Sequence, residues 1–399
     1  MRISKRKTRI AVVSPFLDKR HGTERIAVEW ITQLADQFEI HIYSQRVQDL
    51  DLSRVRWHRI PELRGPHILN FVWWLAANQI WRSWDSNFRD LKHDLTYSPG
   101  INCFDADVIS VHIIFAEFLE RVRSELNFSK NRLGTWPRLL HRRIYYALLV
   151  ALERMIYSRL KTNLVLTSRR SVADMGRFYA RYDALPIIEA GLDHQLFNPA
   201  RRLTQRSAAR QGLQIKNREF VLLLIGNDWR KKGLLTLLKA VAQIRELPVH
   251  LVVVTEEVRD VLQLIRTLGG FDDRVSVLPI RSDVEFYYAA ADAYVGPSLE
   301  DTFALPVAEA MACGLPVIVS ASAGASEIVT HGSDGLILEN PRDSARLAEL
   351  ILQLYGDEAL CRRLGQGAAT TAQKYTWEEN GRQLVAAFAG VLSTKERLL

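Results

Sequence analysis

Cysteine and methionine are scarce, at three and four residues among 399. Cys103, Cys313 and Cys361 are too few and too scattered for a disulfide scaffold or a four-cysteine zinc site, and they fit a reducing compartment. No uninterrupted apolar run of about 18 residues exists, so nothing in the sequence reads as a membrane span. The longest candidates are Ile144–Leu152 and residues 67–81, and the second carries Asn70, Asn78 and Gln79. No secretory leader is expected: the basic start, Met1–Arg9, is followed only by the short apolar Ile10–Val13 before Asp18. Internal repeats and low-complexity tracts are missing too. With 48% apolar and 25% charged residues, these absences exclude fibrous, disulfide-rich and disordered chains. What remains is a globular chain of two to three domains, at about 150 residues each.

Charge is spread unevenly. Residues 1–200 carry 30 Lys/Arg against 21 Asp/Glu, whereas residues 201–399 carry 23 against 24. A basic first half points toward an anionic partner such as a phosphorylated substrate, an acidic membrane surface or nucleic acid. Nucleic acid ranks last, because no reader motif accompanies the charge.

Apolar periodicity alternates between strand and helix. In the first half, strands are expected at Arg9–Ser14, Phe38–Ser44, Val55–Ile60, Leu95–Ser98, Asp107–His112, Asn163–Ser168 and Pro186–Glu189. Helices are expected at Gly22–Asp36, His67–Leu91, Ala116–Leu126 and Pro137–Lys161. The polar, basic stretch 199–218 reads as a linker. Beyond it, strands at Phe220–Ile225, Val249–Thr255, Val275–Leu278, Ala293–Val295, Pro316–Ser320 and Gly335–Leu338 alternate with helices. Strand and helix at this rhythm imply parallel sheets covered on both faces. The expected architecture is α/β, with two doubly wound Rossmann-like domains facing a cleft: residues 1–198, then 219–375, with a final helix over 376–399 packing back toward the first domain.

The chemistry concentrates in Pro297–Gly314. A strand ends at Val295, a loop follows with Ser298, Glu300 and Asp301, and a helix begins near Ala304–Pro306. Proline in a first helical turn loses nothing by lacking an N–H. The amides of Phe303, Ala304 and Leu305 are therefore expected at a helix N-terminus suited to a phosphate. Glu309 lies further along an otherwise apolar helix, where an acid needs a partner. Asp301 either caps that helix or reaches a ligand. Lys231 and Lys232 form a basic loop between a strand and a helix, where a phosphate or solvent would meet them.

These residues resemble the E-x7-E signature of retaining, nucleotide-sugar-dependent glycosyltransferases of the GT-B fold, family 4, of the bacterial cell-surface polysaccharide type. Phe303, Leu305-Pro306 and Glu309 through Ile318 agree with it. Gly22-Thr23-Glu24-Arg25 is similar to the family's G-G-x-E-R loop, and Val111-His112 to the strand that ends in its histidine. Ala190-Gly191-Leu192-Asp193 through Pro199, Gly226 through Gly233, and Gly324 through Glu327 match further motifs. The resemblance implies sugar transfer with retention from a nucleotide-diphosphate sugar, commonly UDP-linked, to a glycan or glycolipid hydroxyl. No cofactor and no essential metal are implied. Glu309 would bind the ribose, and Asp301 or its neighbour Glu300 the donor sugar. Lys231 and Lys232 would face the diphosphate, the amides of Phe303, Ala304 and Leu305 the sugar and phosphate, and His112 the transferring sugar. Gly22 would let backbone approach the phosphates. Two positions depart from the pattern. Asp301 stands for the first glutamate, and Thr23 replaces a glycine with a β-branched residue that disfavours positive φ.

Asp105-Ala106-Asp107 has the spacing of a metal-binding pair from a different glycosyltransferase fold, but ahead of a buried strand it reads as a turn. Aromatic and basic residues mix over 57–92 and 119–161, either as core with a solvated face or as a surface for anionic lipid. The resulting expectation is a cytoplasmic enzyme, or one held at the inner face of a membrane. The rivals are another GT-B enzyme, such as an epimerase or a phosphorylase, and a non-catalytic scaffold. A phosphorylase needs a pyridoxal lysine that cannot be placed, and a scaffold would have lost the donor residues.

Overall fold

A computed structural model describes residues 6–19, 22–122, 136–216, 218–271 and 273–398. The chain divides into two compact units, residues 1–189 with 377–399, and residues 190–376.

The first unit is built on Arg9–Val13 (β1), buried from Ile10 onward. Short strands Phe16–Leu17 (β2) and Arg46–Val47 (β4) pair beside its end. Glu39–Ser44 (β3), Arg56–Arg59 (β5), Leu95–Pro99 (β6), Val108–Val111 (β7) and Asn163–Leu166 (β8) complete a parallel sheet in the order β5-β3-β1-β6-β7-β8. Counting those six strands alone, the order is 3-2-1-4-5-6, the doubly wound arrangement. Gly22–Leu34 (α1), His67–Phe88 (α2), Phe115–Val122 (α3), Trp136–Tyr157 (α4) and Arg169–Tyr179 (α5) link the strands. Of the helix expected over Ala116–Leu126, residues 123–126 lie outside those described. Pro186–Glu189, expected as a strand, makes only a single bridge between Ile187 and Leu166. Pro186 has no amide with which to extend a ladder.

The second unit repeats the plan. Phe220–Ile225 (β9), Val249–Val254 (β10), Val275–Leu278 (β11), Ala293–Gly296 (β12), Val317–Ser320 (β13) and Leu336–Leu338 (β14) form a parallel sheet in the order β11-β10-β9-β12-β13-β14. Helices Pro199–Gly212 (α6), Leu234–Gln243 (α7), Val258–Leu268 (α8), Glu285–Ala290 (α9), Leu305–Ala312 (α10), Ser344–Gly356 (α11) and Glu358–Ala372 (α12) surround it. The buried runs FVLLLI and VHLVVV explain why its strands are legible without alternation.

The stretch 199–218 is not the linker its composition suggests. The Asn198 side chain caps α6 by accepting the Arg201 amide at 2.8 Å, with Pro199 in the first turn. The arginines that look solvated are structural: Arg206 and Arg210 meet the two oxygens of Asp292 at 2.5 and 2.7 Å. The boundary between units falls instead at 189/190. The last helix, Trp377–Leu398 (α13), belongs to the first unit. It buries Leu384 and Phe388, the latter 5.5 Å from the Tyr97 ring, and Lys395 reaches Asp107 at 2.7 Å.

Candidate functional site

In a sheet ordered 3-2-1-4-5-6, the chain leaves adjacent central strands in opposite directions, opening a crevice at their carboxyl ends. In the second unit those strands are β9 and β12, and their loops are 226–233 and 297–304. The first loop depends on two glycines. A Cβ at Gly226 would stand 2.5 Å from Lys232 Cε, and one at Gly233, where φ is 73°, would stand 2.0 Å from the Pro297 carbonyl oxygen. Glycine there lets the two loops touch, and the Leu299 amide joins them by donating to Lys231 O at 2.8 Å.

This contact brings two lysines against two acids. Lys231 Nζ lies 2.6 Å from Glu300 Oε2, and Lys232 Nζ lies 2.5 Å from Asp301 Oδ2. All four side chains are less than a fifth exposed. Burial works against the charge on Lys231, but Glu300 and Asp301 outweigh it and hold its pKa above the ordinary lysine value. Burial likewise raises Asp301, and Lys232 with Lys231 overcomes it, leaving that carboxyl below its usual range. Both are therefore charged at neutral pH.

Asp301 has a second task. Its Oδ1 accepts the Ala304 amide at 2.9 Å, while Ala304 sits at φ 68° and ψ 62°, left-handed for a residue with a Cβ. Such strain persists only where the surroundings hold it, and it gathers at functional sites. The motif at 324–327 supplies part of that support: Gly324 N donates to Asp301 O at 2.8 Å and Ala325 N to Phe303 O at 2.5 Å. Leu305 begins α10, with Ala304 as its N-cap and Phe303 in the loop before it, and the Ala304 amide is committed to Asp301 rather than turned outward for a ligand.

Glu309 is buried within α10, and Tyr288 Oη donates to its Oε2 at 2.6 Å. Burial and the Glu309 charge hold the Tyr288 hydroxyl far above its ordinary pKa, so it remains a donor. Sequence reasoning missed Tyr288; a tyrosine among buried alanines on a short helix was its only signal.

In the first unit, His112 follows β7 and is buried. Its Nε2 shares a hydrogen bond with Ser110 Oγ at 2.8 Å, and Ser110 with Tyr97 Oη at 2.7 Å. Burial pushes its pKa down to about 4, so the ring is neutral at pH 7. Gly22 and Thr23 differ from expectation. They form the first turn of α1, neither residue has positive φ, and a Cβ at Gly22 would meet nothing within 4 Å. Thr23 therefore imposes no penalty there. Asp105 and Asp107 diverge as a turn would have them: Asp105 holds Arg82 at 2.6 Å, and Asp107 accepts the Thr96 amide at 2.8 Å.

Residues 205–371, within the second unit, match the family described as glycosyl transferases group 1. The chain is 33% identical over 231 residues to D-inositol 3-phosphate glycosyltransferase 1 of Catenulispora acidiphila, covering 53% of this chain and 54% of that protein. It is 30% identical over 227 residues to the D-inositol 3-phosphate glycosyltransferase of an Arthrobacter species. The chain thus spans about half the length of the curated relatives it matches. Two solved structures share the fold of both units. WaaG, a glycosyltransferase involved in lipopolysaccharide biosynthesis, aligns with TM-score 0.76 at 20% identity, over 95% of this chain and 98% of that one. Anabaena HepE, in complex with UDP-glucose, aligns with TM-score 0.72 at 19% identity, over 96% of this chain and all of that one. The architecture is that of GT-B glycosyltransferases, two Rossmann-like halves.

Proposed function

We propose that the protein transfers a sugar, with retention, from a UDP-linked donor to a hydroxyl of a glycan or glycolipid in polysaccharide synthesis. The observation that carries this reading is the lysine–acid quartet at the β9/β12 switch point, with Glu309 on the helix that follows. The bond between the anomeric carbon and the diphosphate breaks and a bond to the acceptor oxygen forms on the same face. The acceptor proton passes to the departing phosphate. Lys231 and Lys232 take up the charge that develops on the leaving group, in a buried site where such stabilisation is strong. Glu309 receives the ribose hydroxyls, Asp301 with Glu300 beside it the sugar hydroxyls, and the backbone of Phe303, Ala304 and Leu305 lies over sugar and phosphate. Gly22 and Thr23 are assigned to the donor phosphates at the start of α1, and His112, neutral, to the transferring sugar. HepE, crystallised with UDP-glucose, supports uridine as the base.

The test is a thermal-shift panel of UDP, GDP and ADP, without metal and with magnesium. A ligand at 100 times its Kd adds about 2.7 kcal/mol, worth roughly 2–4 °C per kcal/mol for domains of this size. A shift selective for UDP is expected, with no requirement for magnesium. No shift with any nucleotide overturns the donor assignment and favours a scaffold.

An acceptor held at an anionic membrane belongs to the same proposal. Among the described residues no helix is long and apolar enough to cross a membrane. On α4, Trp136, Leu140 and Ile144 are 40–51% exposed, beside exposed Arg138, Arg142 and Arg143. Apolar side chains flanked by arginine suit an anionic lipid surface. The protein is expected to sediment with phosphatidylglycerol vesicles and not with phosphatidylcholine vesicles. Equal recovery with both removes the membrane from the proposal.

A further inference from the structure

Glu153 is a fully buried carboxylate, and among the described residues no lysine or arginine is bonded to it. It projects from α4, and its two oxygens accept the Phe115 amide at 2.8 Å and the Ala116 amide at 3.1 Å. Those are the first two residues of α3. Tyr179 of α5 donates its hydroxyl to the same carboxylate. The three helices share one apolar cluster through Ile114, Leu149, Leu152, Ile156, Met175 and Tyr179. Placing an acid there costs more than any apolar residue would, so the packing alone does not account for it.

The turn it grips carries His112. Val111 is fixed in the sheet by its pairing with Leu166, and Phe115 is fixed by Glu153. Only residues 112–114 lie between. We infer that Glu153 is a positioning residue, which sets the orientation of His112 by clamping the amides of Phe115 and Ala116. The inference rests on the reading that His112 meets the transferring sugar.

The clamp is sensitive to protonation. Burial raises the Glu153 carboxyl, and the Tyr179 hydroxyl and the two amides offset that only in part, leaving it at about 7. The titratable groups facing it are Tyr179 from α5 and Tyr157 from α4. On α3, Glu117 is 3.9 Å from Arg170 of α5. A protonated carboxyl keeps one good acceptor and gains a donor that the amides cannot use, so the grip relaxes as pH falls through 7. The contribution of Glu153 to stability moves the other way. The folded value lies above the ordinary 4.5, so between those values folding takes up a proton, and acidification from 7 toward 4.5 stabilises the unit. His112 and His93, held at about 4 by burial, cost stability as pH falls below 6.5, so circular dichroism is followed over the same range to show the fold intact where His112 changes.

The experiment follows the imidazole resonances of the full chain labelled at histidine, with His112 assigned by substitution, from pH 5.5 to 8.5 and without nucleotide. His112 is expected to report a transition with a midpoint near 7, well above its own titration at about 4. Glu153→Gln, with unchanged helical circular dichroism, should remove that transition. Tyr179→Phe, which deletes one stabilising donor and keeps both amides, should move the midpoint to higher pH. Should Glu153→Gln fail to fold, Tyr179→Phe decides alone. A His112 signal flat across pH 7 in the wild type, or a midpoint unmoved by Tyr179→Phe, overturns the inference. UDP binding in the thermal panel is read separately, so failure of the donor assignment and failure of this coupling are distinguishable.

Discussion

Replacing Asp301 by asparagine is expected to stop sugar transfer while UDP binds as tightly as before, or more tightly. Asparagine is nearly the same shape, and its carbonyl oxygen can still accept the Ala304 amide now bound by Asp301 Oδ1 at 2.9 Å. Aspartate and asparagine both support such side-chain-to-amide turns, so the strained turn at Ala304 should survive. What disappears is the charge, and with it the counter-ion of Lys232 at 2.5 Å. On the proposed donor assignment, a diphosphate has to draw Lys232 away from Asp301 in the wild type. In Asp301→Asn it supplies the missing anion instead, and UDP affinity should stay level or rise by up to about tenfold, equivalent to about 1.4 kcal/mol. Turnover of the donor identified by the thermal panel should nevertheless fall by about 100-fold or more, the scale of losing one charge-aligned partner of a transition state. Isothermal titration with UDP alongside donor consumption separates the two. If UDP binding weakens more than tenfold at an unchanged unfolding temperature, Asp301 serves the nucleotide and the sugar assignment is wrong.

The same side chain shows what a sequence can and cannot display. Gly226, Gly233, Pro306 and Gly314 punctuate the second unit so regularly that strand, loop and helix can be placed around Asp301 and Glu309 before any coordinates. The lysine–acid pairing was hidden because Lys231 and Glu300 stand on different loops, brought together by the Leu299 amide and by a glycine whose Cβ would overlap Pro297 O. Tyr288 was hidden for a related reason: its partner lies 21 residues downstream, and only the fold brings α9 against α10. Composition misled at α6, where arginines bound to Asp292 look no different from arginines in water. At Thr23 the family pattern implied a left-handed loop, and the chain forms an ordinary helical turn, in which a β-branched residue costs little. Glu153 had no signature at all, because its meaning depends on the amides it receives from another helix.

Glu309→Gln should weaken UDP binding by roughly 10- to 150-fold, the worth of about 1.5–3 kcal/mol for a hydrogen bond to a charged group. Glutamine suits the test better than alanine. Glu309 is only 2% exposed and receives the Tyr288 hydroxyl at 2.6 Å, so truncation would leave that hydroxyl buried without an acceptor. The glutamine carbonyl can accept it, and α10 should keep its place. Comparing UDP with 2′,3′-dideoxy-UDP isolates the ribose contact. If Glu309 receives the ribose hydroxyls, the wild type prefers UDP strongly and Glu309→Gln loses most of that preference, while the two proteins bind the dideoxy compound alike. This is a double-mutant cycle with one arm on the ligand, and its coupling energy should fall within the range of about 0.5–3 kcal/mol found for groups in contact. Tyr288→Phe adds the structural arm. It leaves the Glu309 charge in place but frees the carboxylate from its fixed donor, so the preference for UDP should narrow without vanishing. A Glu309→Gln protein that binds UDP as the wild type does, or that loses UDP and dideoxy-UDP equally, would place Glu309 away from the ribose and leave its burial against Tyr288 as a matter of packing.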